Sequence, residues 1–179
     1  MIPLTITTPR LILRPLTLAD APAIFAACSN PRITRYTLFD THQSIDTTIA
    51  FLNDIAFPAY ELNQAGPYGI VRKDDLTDTV IGCIGSMTKM EPVPCEEFGY
   101  WLAEPYWGQG LITEASQTFV DDLFASGRTK RVQAGVFAEN GASIRVLEKA
   151  GLSKDEKMCG WLEHRGVELE HWYFAKCIG

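Results

Sequence analysis

Long apolar runs and excess positive charge are both missing from this 179-residue sequence. No apolar stretch approaches the ~20 residues that a membrane helix requires, and the first residues lack the basic-then-apolar layout of a signal peptide. The 16 Lys and Arg residues are outnumbered by 22 Asp and Glu residues, giving a net charge of -6. That balance argues against a protein that must neutralise nucleic-acid phosphates. We therefore expect a cytoplasmic protein with neither a membrane nor a nucleic acid as partner.

Paired cysteines and metal-ligand spacings are missing as well. The five cysteines are odd in number and scattered, with no C-x-x-C pair and no histidine at a zinc-ligand spacing. We therefore expect free thiols in a reducing compartment and no metal. Hydrophobic residues make up 46% and charged residues 21%, as in an ordinary globular protein. With no repeat or linker, the sequence predicts a single domain over residues 1–179.

The hydrophobic pattern predicts strands and helices in the order β-α-α-β-β-β-α-β-α-β-β. Helices are predicted at residues 21–28, 41–63 with a break or kink at Pro58, 111–126 and 143–150. Strands are predicted around Leu11 and Leu13 and at residues 68–72, 80–87, 97–102, 132–137, 153–158 and 171–176. These elements form hairpins and one strand-helix-strand crossover. The sequence thus predicts an α/β (α+β) domain with a mixed, mostly antiparallel sheet of about six to seven strands and about four helices.

Two glycines lie in a short loop between a predicted strand and a predicted helix. The strand ends near Leu102, Gly108 and Gly110 follow, and the helix begins at once. Glycine lets a backbone approach a ligand closely, and the free N–H groups of a helix start favour an anion. A pyrophosphate would suit such a loop, although a tight turn without a ligand has the same pattern.

Three classes of anion-binding loop can be compared with this one. A P-loop requires a lysine directly after its last glycine, and none follows Gly110. A dinucleotide fingerprint has a third glycine where this chain has Thr113, and an acid where it has Lys130. The third class is the coenzyme A pyrophosphate loop of acetyltransferases, with the pattern [RQ]-x-x-G-x-[GA].

The segment WGQGLITEA, residues 107–115, resembles the W-G-x-G-x-x-[TS]-E-A segment of the GNAT acetyltransferase superfamily. It is most similar to the branch of ribosomal-protein N-terminal acetyltransferases, the RimJ/RimL type. Four further segments agree in order: TPRLILRP at 8–15, GYWL at 99–102, NGAS at 140–143 and VLEKAGL at 146–152. The departures are Trp107 at the [RQ] position and Ile112 at the [GA] position.

The resemblance implies a GNAT fold in which acetyl-CoA lies between two splayed parallel strands, one ending near Leu102 and the other near Phe137. No metal is implied. The coenzyme-binding residues would be Trp101, Leu102, Gly108, Gln109, Gly110, Leu111, Ile112, Thr113, Asn140 and Ser143. Ser143 also matches the serine that the family uses to protonate the departing thiolate. Asn140 and Ser143 each fit an ordinary helix start too.

The group that draws a proton from the acceptor amine is a separate question. Glu96, Glu97 and Glu163 are candidates, acting through water. Neighbours on a strand point to opposite faces, so only one of Glu96 and Glu97 can face the cleft, and we favour Glu97 as catalytic. Glu163 lies one position away from the carboxylate of the ribosomal-protein branch. His164 and His171 have suitable pKa values, but His171 begins a predicted strand and has no motif around it.

The part of the site that binds the acceptor amine, which we call the acceptor side, is expected to involve segments 31–39 and 159–166. At pH 7 about a tenth of peptide α-amines are neutral, against fewer than about one lysine amine in a thousand. The favoured function is therefore acetyl-CoA-dependent N-acetylation of a protein or peptide N-terminal α-amine. A small-molecule amine acetyltransferase and a non-catalytic acyl-CoA-binding sensor or interaction module are the alternatives. The expected partners are acetyl-CoA and the amine acceptor, with a homodimer and a monomer both open.

Overall fold

The computed structural model describes residues 5–90 and 94–179, and this part of the chain contains a nine-stranded sheet with helices on both faces. Its strands are β1 (Ile6–Thr7), β2 (Leu11–Pro15), β3 (Tyr68–Arg72), β4 (Val80–Lys89), β5 (Cys95–Leu102), β6 (Arg131–Phe137), β7 (Ser153–Lys154), β8 (Gly160–His164) and β9 (Val167–Cys177). Its α-helices are α1 (Ala21–Cys28), α2 (Pro31–Thr34), α3 (Ile45–Phe51), α4 (Phe57–Glu61), α5 (Leu111–Ala125) and α6 (Gly141–Lys149).

The sheet is antiparallel except for one central pair. Its strand order is β1-β2-β3-β4-β5-β6-β9-β7, with β8 paired to β9. Only β5 and β6 run parallel within the described chain, and α5 forms the crossover between them. This arrangement confirms the predicted mixed α/β domain.

Each face of the sheet is covered by its own set of helices. Helix α5 places Leu111, Ala115, Phe119 and Leu123 on one stripe, and all four are buried against the sheet. On the opposite face a second apolar cluster joins α1 and the α3–α4 region to side chains such as Trp101. The sheet is therefore the middle layer of three, and both faces of its central strands are buried.

The second predicted helix continues through Pro58 without the expected break. Residues 45–61 are helical throughout, but residues 52–56 form π-helical turns. The Phe57 N–H donates to the Leu52 carbonyl, five residues back, so the helix is widened directly before the proline. A widened turn accommodates the missing N–H and the bulk of the Pro58 ring. The helix therefore continues where a proline usually breaks it.

Two of the nine strands have no signal in the sequence. Strand β1 has only two residues, and β8 lies within segment 159–166, where no strand is predicted. Four of the five β8 residues are exposed, so no alternation of buried and polar residues marks it. It pairs with β9 through a turn at Arg165 and Gly166, both with positive φ. We call residues 160–177 the β8–β9 hairpin.

Candidate active site

Strands β5 and β6 separate after a short stretch of pairing. They pair only at Glu96–Val132 and Glu97–Gln133. Beyond this point β5 stays paired with β4 as far as Leu102, and β6 with β9 as far as Phe137. Residues 98–102 and 134–137 therefore face each other across a cleft. The cleft gives a polar ligand access to backbone groups that no strand uses.

The pairing of β5 with β4 decides which backbone groups face this cleft. The Ala103 N–H donates to the Ile81 carbonyl at 2.8 Å, so odd-numbered residues of β5 direct their backbone groups toward β4. Trp101 is one of them, and its side chain is buried in the core. The cleft edge is presented instead by Tyr100 and Leu102. Of the two β5 residues expected to bind the coenzyme, Leu102 thus directs its backbone groups toward the cleft, whereas Trp101 directs its own toward β4.

The loop before α5 that carries Gly108 and Gly110, which we call the glycine loop, is open to solvent and rich in free backbone N–H groups. Gly108 and Gly110 have φ values of 73° and 74°, the left-handed region that favours glycine. No atom lies within 4 Å of the position that a Gly108 Cβ would occupy. The N–H groups of residues 108–113 donate to no acceptor in the described part of the chain. Together with the helix dipole they make an anion-binding surface.

Side chains of the loop bond to neighbouring backbone carbonyls and fix its shape. The Trp107 indole N–H donates to the Leu102 carbonyl at 2.7 Å, and the Gln109 amide donates to the Pro105 carbonyl at 3.0 Å. The Arg10 guanidinium donates to the Gln109 carbonyl at 3.1 Å. The loop is thus held from both sides while its N–H groups remain available.

Glu114 ties this loop to the first hairpin of the chain. Its carboxylate accepts hydrogen bonds from the Thr8 hydroxyl at 2.5 Å, the Arg10 N–H at 2.8 Å and the Arg10 Nε at 2.6 Å. Burial alone would raise the pKa of Glu114, but these bonds outweigh it and hold the pKa below its usual range. No role was predicted for Glu114 from the sequence. The signal was present, since Thr8, Arg10 and Glu114 all belong to the motif segments.

Asn140 and Ser143 have different partners at the start of α6. The Asn140 Oδ1 caps the helix by accepting from the Ser143 N–H at 3.2 Å. The Ser143 Oγ lies 2.7 Å from the Tyr100 hydroxyl, so this bond bridges the cleft from β5 to α6. Burial raises the pKa of Tyr100 to about 12, which keeps its hydroxyl protonated. Tyr100 lies in the GYWL segment, but the sequence analysis gave it no role.

Glu96 and Glu97 lie on opposite faces of β5, as alternation predicts. Glu96 is buried and accepts from the Ser86 and Thr88 hydroxyls at 2.5 and 2.7 Å. Both of its oxygens are therefore occupied on the α5 face. The Glu97 Oε2 accepts from the Gln133 Nε2 at 2.8 Å, at the point where the strands begin to separate. Of the two, Glu97 is the carboxylate on the face opposite α5.

The two segments expected to form the acceptor side contact each other. In the β8–β9 hairpin, His164 Nε2 lies 3.1 Å from the Arg35 carbonyl. Arg165 donates to the Thr34 and Phe39 carbonyls, each at 3.0 Å. These contacts join segment 31–39 to the hairpin beside the end of β6. Glu163 lies on β8 and is exposed.

A row of rings lies along the end of β6 on this side. Phe137 contacts Tyr36, His164 and His171, with ring centroids 6.2, 4.8 and 5.2 Å away. His171 in turn lies 5.1 Å from the ring of Tyr173. Sequence reasoning set His171 aside, because its neighbours in the chain gave no signal. The structure places it beside the cleft.

Within residues 5–90 and 94–179 no group of three or more His, Cys, Asp or Glu side chains could hold a metal ion. No helix in that part is both long and apolar enough to cross a bilayer. The five cysteines are free thiols, and burial raises the pKa of Cys28 to about 12 and that of Cys83 further.

Comparison with known proteins identifies relatives over nearly the whole chain. Residues 10–153 match the family model described as an acetyltransferase (GNAT) domain. The chain is 33% identical over 163 residues to an uncharacterized N-acetyltransferase, YoaA, of Bacillus subtilis, covering 91% of this chain and 90% of that protein. These matches confirm the resemblance drawn from the motif segments.

Solved structures agree with this fold. A GNAT-family acetyltransferase from Bacillus anthracis superposes with a TM-score of 0.82 at 20% identity, covering 97% of this chain and 98% of that one. RimL, a ribosomal L7/L12 alpha-N-protein acetyltransferase in complex with coenzyme A, gives a TM-score of 0.80 at 17% identity, with 98% of each chain covered.

Proposed function

Since the chain belongs to the GNAT acetyltransferase family and is an N-acetyltransferase, we propose that it transfers the acetyl group of acetyl-CoA directly to a protein or peptide N-terminal α-amine. The observation that carries this proposal is the cleft between β5 and β6. It has free backbone groups on one edge, the glycine loop at its mouth and a bridging hydroxyl pair across it.

The loop and the cleft fit the chemistry of coenzyme A. The coenzyme supplies an activated thioester together with a pyrophosphate and an amide-rich arm. Backbone N–H groups of Gly108 to Thr113 suit the pyrophosphate, including those of Gln109, Leu111 and Ile112. Because these contacts come from the backbone, Ile112 at the [GA] position does not remove them. On β5, the Tyr100 backbone and the Leu102 N–H suit the amides of the arm, while the Leu102 carbonyl is bonded to Trp107. The Asn140 side-chain NH2 is left to donate to the arm.

Ser143 is proposed to assist departure of the thiolate. Its hydroxyl is not used to cap α6, and it is held by Tyr100 across the cleft. A thiol with a pKa of about 8.5 is a good leaving group near neutral pH, so a weakly acidic hydroxyl is sufficient. Tyr100 would position this hydroxyl rather than act on the thioester itself.

Glu97 is proposed as the catalytic carboxylate of the acceptor side. It lies where the strands part, on the face opposite α5, and its negative charge stabilises the positive charge that the acceptor nitrogen carries as it attacks the thioester. Glu96 is engaged by Ser86 and Thr88 on the other face, and Glu163 is exposed on the hairpin. A site with this single carboxylate suits an α-amine, whose pKa of about 7.8 leaves a useful neutral fraction at pH 7.

Thiol release from acetyl-CoA over a panel of amines tests this function. The panel consists of unblocked peptides, the same peptides with an acetylated N-terminus and an internal lysine, and small primary amines. We expect release with unblocked peptides and little with blocked ones. Release with small amines alone would assign the protein to small-molecule acetylation. Acetyl-CoA binding by calorimetry without release from any amine would favour the sensor alternative and contradict the proposal.

A further inference from the structure

His171 lies against β6 at a position where only glycine leaves room for it. A Cβ at residue 135 would be 2.5 Å from the His171 Cε1 and 2.8 Å from its Nε2, both far inside contact distance. Gly135 is two residues beyond Gln133, the last β6 residue to pair with β5. The imidazole therefore lies directly over the stretch of β6 that faces the cleft, on the acceptor side.

The ring nitrogens of His171 have no other evident task. The ring packs edge-on against Phe137 and Tyr173, and neither nitrogen has a hydrogen-bond partner among the described residues. A half-buried imidazole normally finds a polar partner for at least one nitrogen. A ring placed at a cleft without one is available to a ligand.

The surroundings of His171 favour its neutral form, and one nearby charge, that of Glu97, favours its protonated form. Burial lowers the pKa of His171 below its ordinary value, and the negative charge of Glu97 on β5 partly offsets this. The other titratable groups in the row of rings around Phe137 and His171 are Tyr173 on β9, His164 on β8 and Tyr36 in segment 31–39. From β6, Gln133 contributes an uncharged amide. A neutral imidazole accepts a proton, and Glu97 is the charge that would stabilise the resulting imidazolium.

We infer that His171 is the group that accepts the proton of the attacking amine and that Glu97 stabilises the imidazolium so formed, a role that rests on the proposed function. The amine nitrogen forms a bond to the thioester carbonyl carbon, and the carbon–sulfur bond breaks. The amine proton passes to an imidazole nitrogen, and the departing thiolate takes a proton from solvent through the Ser143 hydroxyl. His171 then returns its proton to water, so the net products are the acetylated amine and coenzyme A.

The pH dependence of His171→Gln tests this role, with acetyl-CoA and the most active amine of the panel as substrates. At pH values below the pKa of both groups, the amine and His171 must each lose a proton, so log kcat/KM of the wild type should rise with a slope of about 2. His171→Gln should lower kcat/KM about 10²–10⁴-fold and reduce that slope to about 1, with the affinity for acetyl-CoA unchanged. His42→Gln is the matched control, because His42 is a buried histidine whose Nδ1 lies 2.7 Å from the Thr48 hydroxyl. It should retain both the rate and the slope of the wild type.

A second readout does not depend on turnover. The pKa of the His171 imidazole can be followed by NMR in the wild type and in Glu97→Gln, with His171→Gln to assign the signal. Because the Glu97 charge raises this pKa, Glu97→Gln should lower it. An unchanged pKa would contradict the pairing of the two groups.

The possible failures are distinguishable. A wild-type protein that releases no thiol with any amine would overturn the proposed function and this role together. A His171→Gln protein that matches the wild type in kcat/KM and slope would overturn the role of His171 alone.

Discussion

At the residue scale, the start of α6 has two tasks, which are to cap the helix and to contact the coenzyme. The sequence allows either Asn140 or Ser143 for each task. Asn140 and Ser143 both have the side chains of a helix cap, and both match the family's coenzyme contacts. The structure gives the cap to Asn140, while the Ser143 hydroxyl bonds to Tyr100. Removing either side chain should therefore affect a different measurable property.

Ser143→Ala should lower turnover and keep the helix cap, with a loss of stability limited to the Tyr100 hydrogen bond, about 0.5–1.5 kcal/mol. Help to a departing group is worth about 10²–10⁴-fold, and the low pKa of a thiol places the loss at the small end of this range or below it. Turnover at saturating acetyl-CoA, together with a thermal melt, measures both effects. As the control, Asn140→Ala should cost about 1 kcal/mol of stability, because the cap is lost. A Ser143→Ala protein with wild-type turnover and a lower melting temperature would leave Ser143 without its catalytic role.

The cysteines should not carry the acetyl group. Thiolates are the nucleophiles, and burial raises the pKa of Cys28 and Cys83 so far that both are thiols at neutral pH. We expect replacement of all five cysteines by alanine or serine to leave turnover of the folded protein within about tenfold of the wild type. Intact-mass spectrometry after incubation with acetyl-CoA gives a direct check. A stable acetyl-enzyme that disappears when an amine is added would refute direct transfer.

At the scale of elements, the glycine loop and α5 form one unit that Glu114 fastens to the first hairpin. The loop provides the N–H groups and Arg10 holds both its carbonyl at Gln109 and the Glu114 carboxylate. Two motif segments that lie more than a hundred residues apart in the chain are thus parts of one structure. Binding of an anion by this loop should depend on access to its backbone N–H groups and not only on the presence of glycine.

Gly110→Glu should abolish acetyl-CoA binding by placing a carboxylate where the pyrophosphate approaches. Gly127→Glu is a matched control at the other end of α5, since Gly127 also has a positive φ, of 71°, and open space around its Cβ position. Both variants carry the same backbone strain, so both should lose similar stability. Only Gly110→Glu should lose affinity in calorimetry. Unchanged affinity in a folded Gly110→Glu protein would end the assignment of this loop.

The sequence predicts well those elements in which buried residues recur at the regular spacing of a helix or a strand. Helix α5 has a continuous apolar stripe, and the central strands are apolar, so both were predicted close to their observed bounds. Strand β8 is exposed along its length and shows no period. The π turns before Pro58 depend on how a helix accommodates a proline, which hydrophobic spacing does not encode.

At the scale of the whole molecule, the acceptor side arises only when distant segments meet. Segment 31–39 and the β8–β9 hairpin contact each other through Arg165 and His164. The position of His171 depends on Gly135, which lies on a different strand. Motif segments placed the loop, Asn140 and Ser143 from sequence. Contacts in the folded chain gave Tyr100, Glu114 and His171 their roles. The first two lie in motif segments that assign them none, and His171 has no local pattern to find.

A second whole-molecule feature is a buried ion pair that joins β2 to the start of α1. The Arg14 guanidinium donates to both oxygens of Asp20, at 2.8 and 3.0 Å, and Asp20 is 6% exposed. Burial would raise the pKa of Asp20, but the Arg14 and Thr17 hydrogen bonds outweigh it, so its pKa lies below the usual range. Such a carboxylate stabilises the folded state at pH values above the pKa of the unfolded chain, which is about 3.9. The stabilisation is lost as the pH falls through the lower, folded value.

Asp20→Asn should therefore destabilise the protein at pH 7 and make its stability less sensitive to acid. Loss of the charge leaves Arg14 paired only with the more exposed Asp78, and the cost should be about 1–3 kcal/mol at pH 7. The gap between variant and wild type should narrow as the pH falls below about 4, because the unfolded wild-type chain then takes up a proton at Asp20 while the folded protein resists it until its lower pKa is reached. Urea unfolding at a series of pH values between 7 and 3 measures this convergence. Asp74→Asn is the control: that carboxylate pairs with Arg72 on the surface, where water and salt screen the interaction, so its stability curve should follow the wild type throughout. If the gap for Asp20→Asn stayed constant over this range, the pair would stabilise the protein by packing rather than by charge.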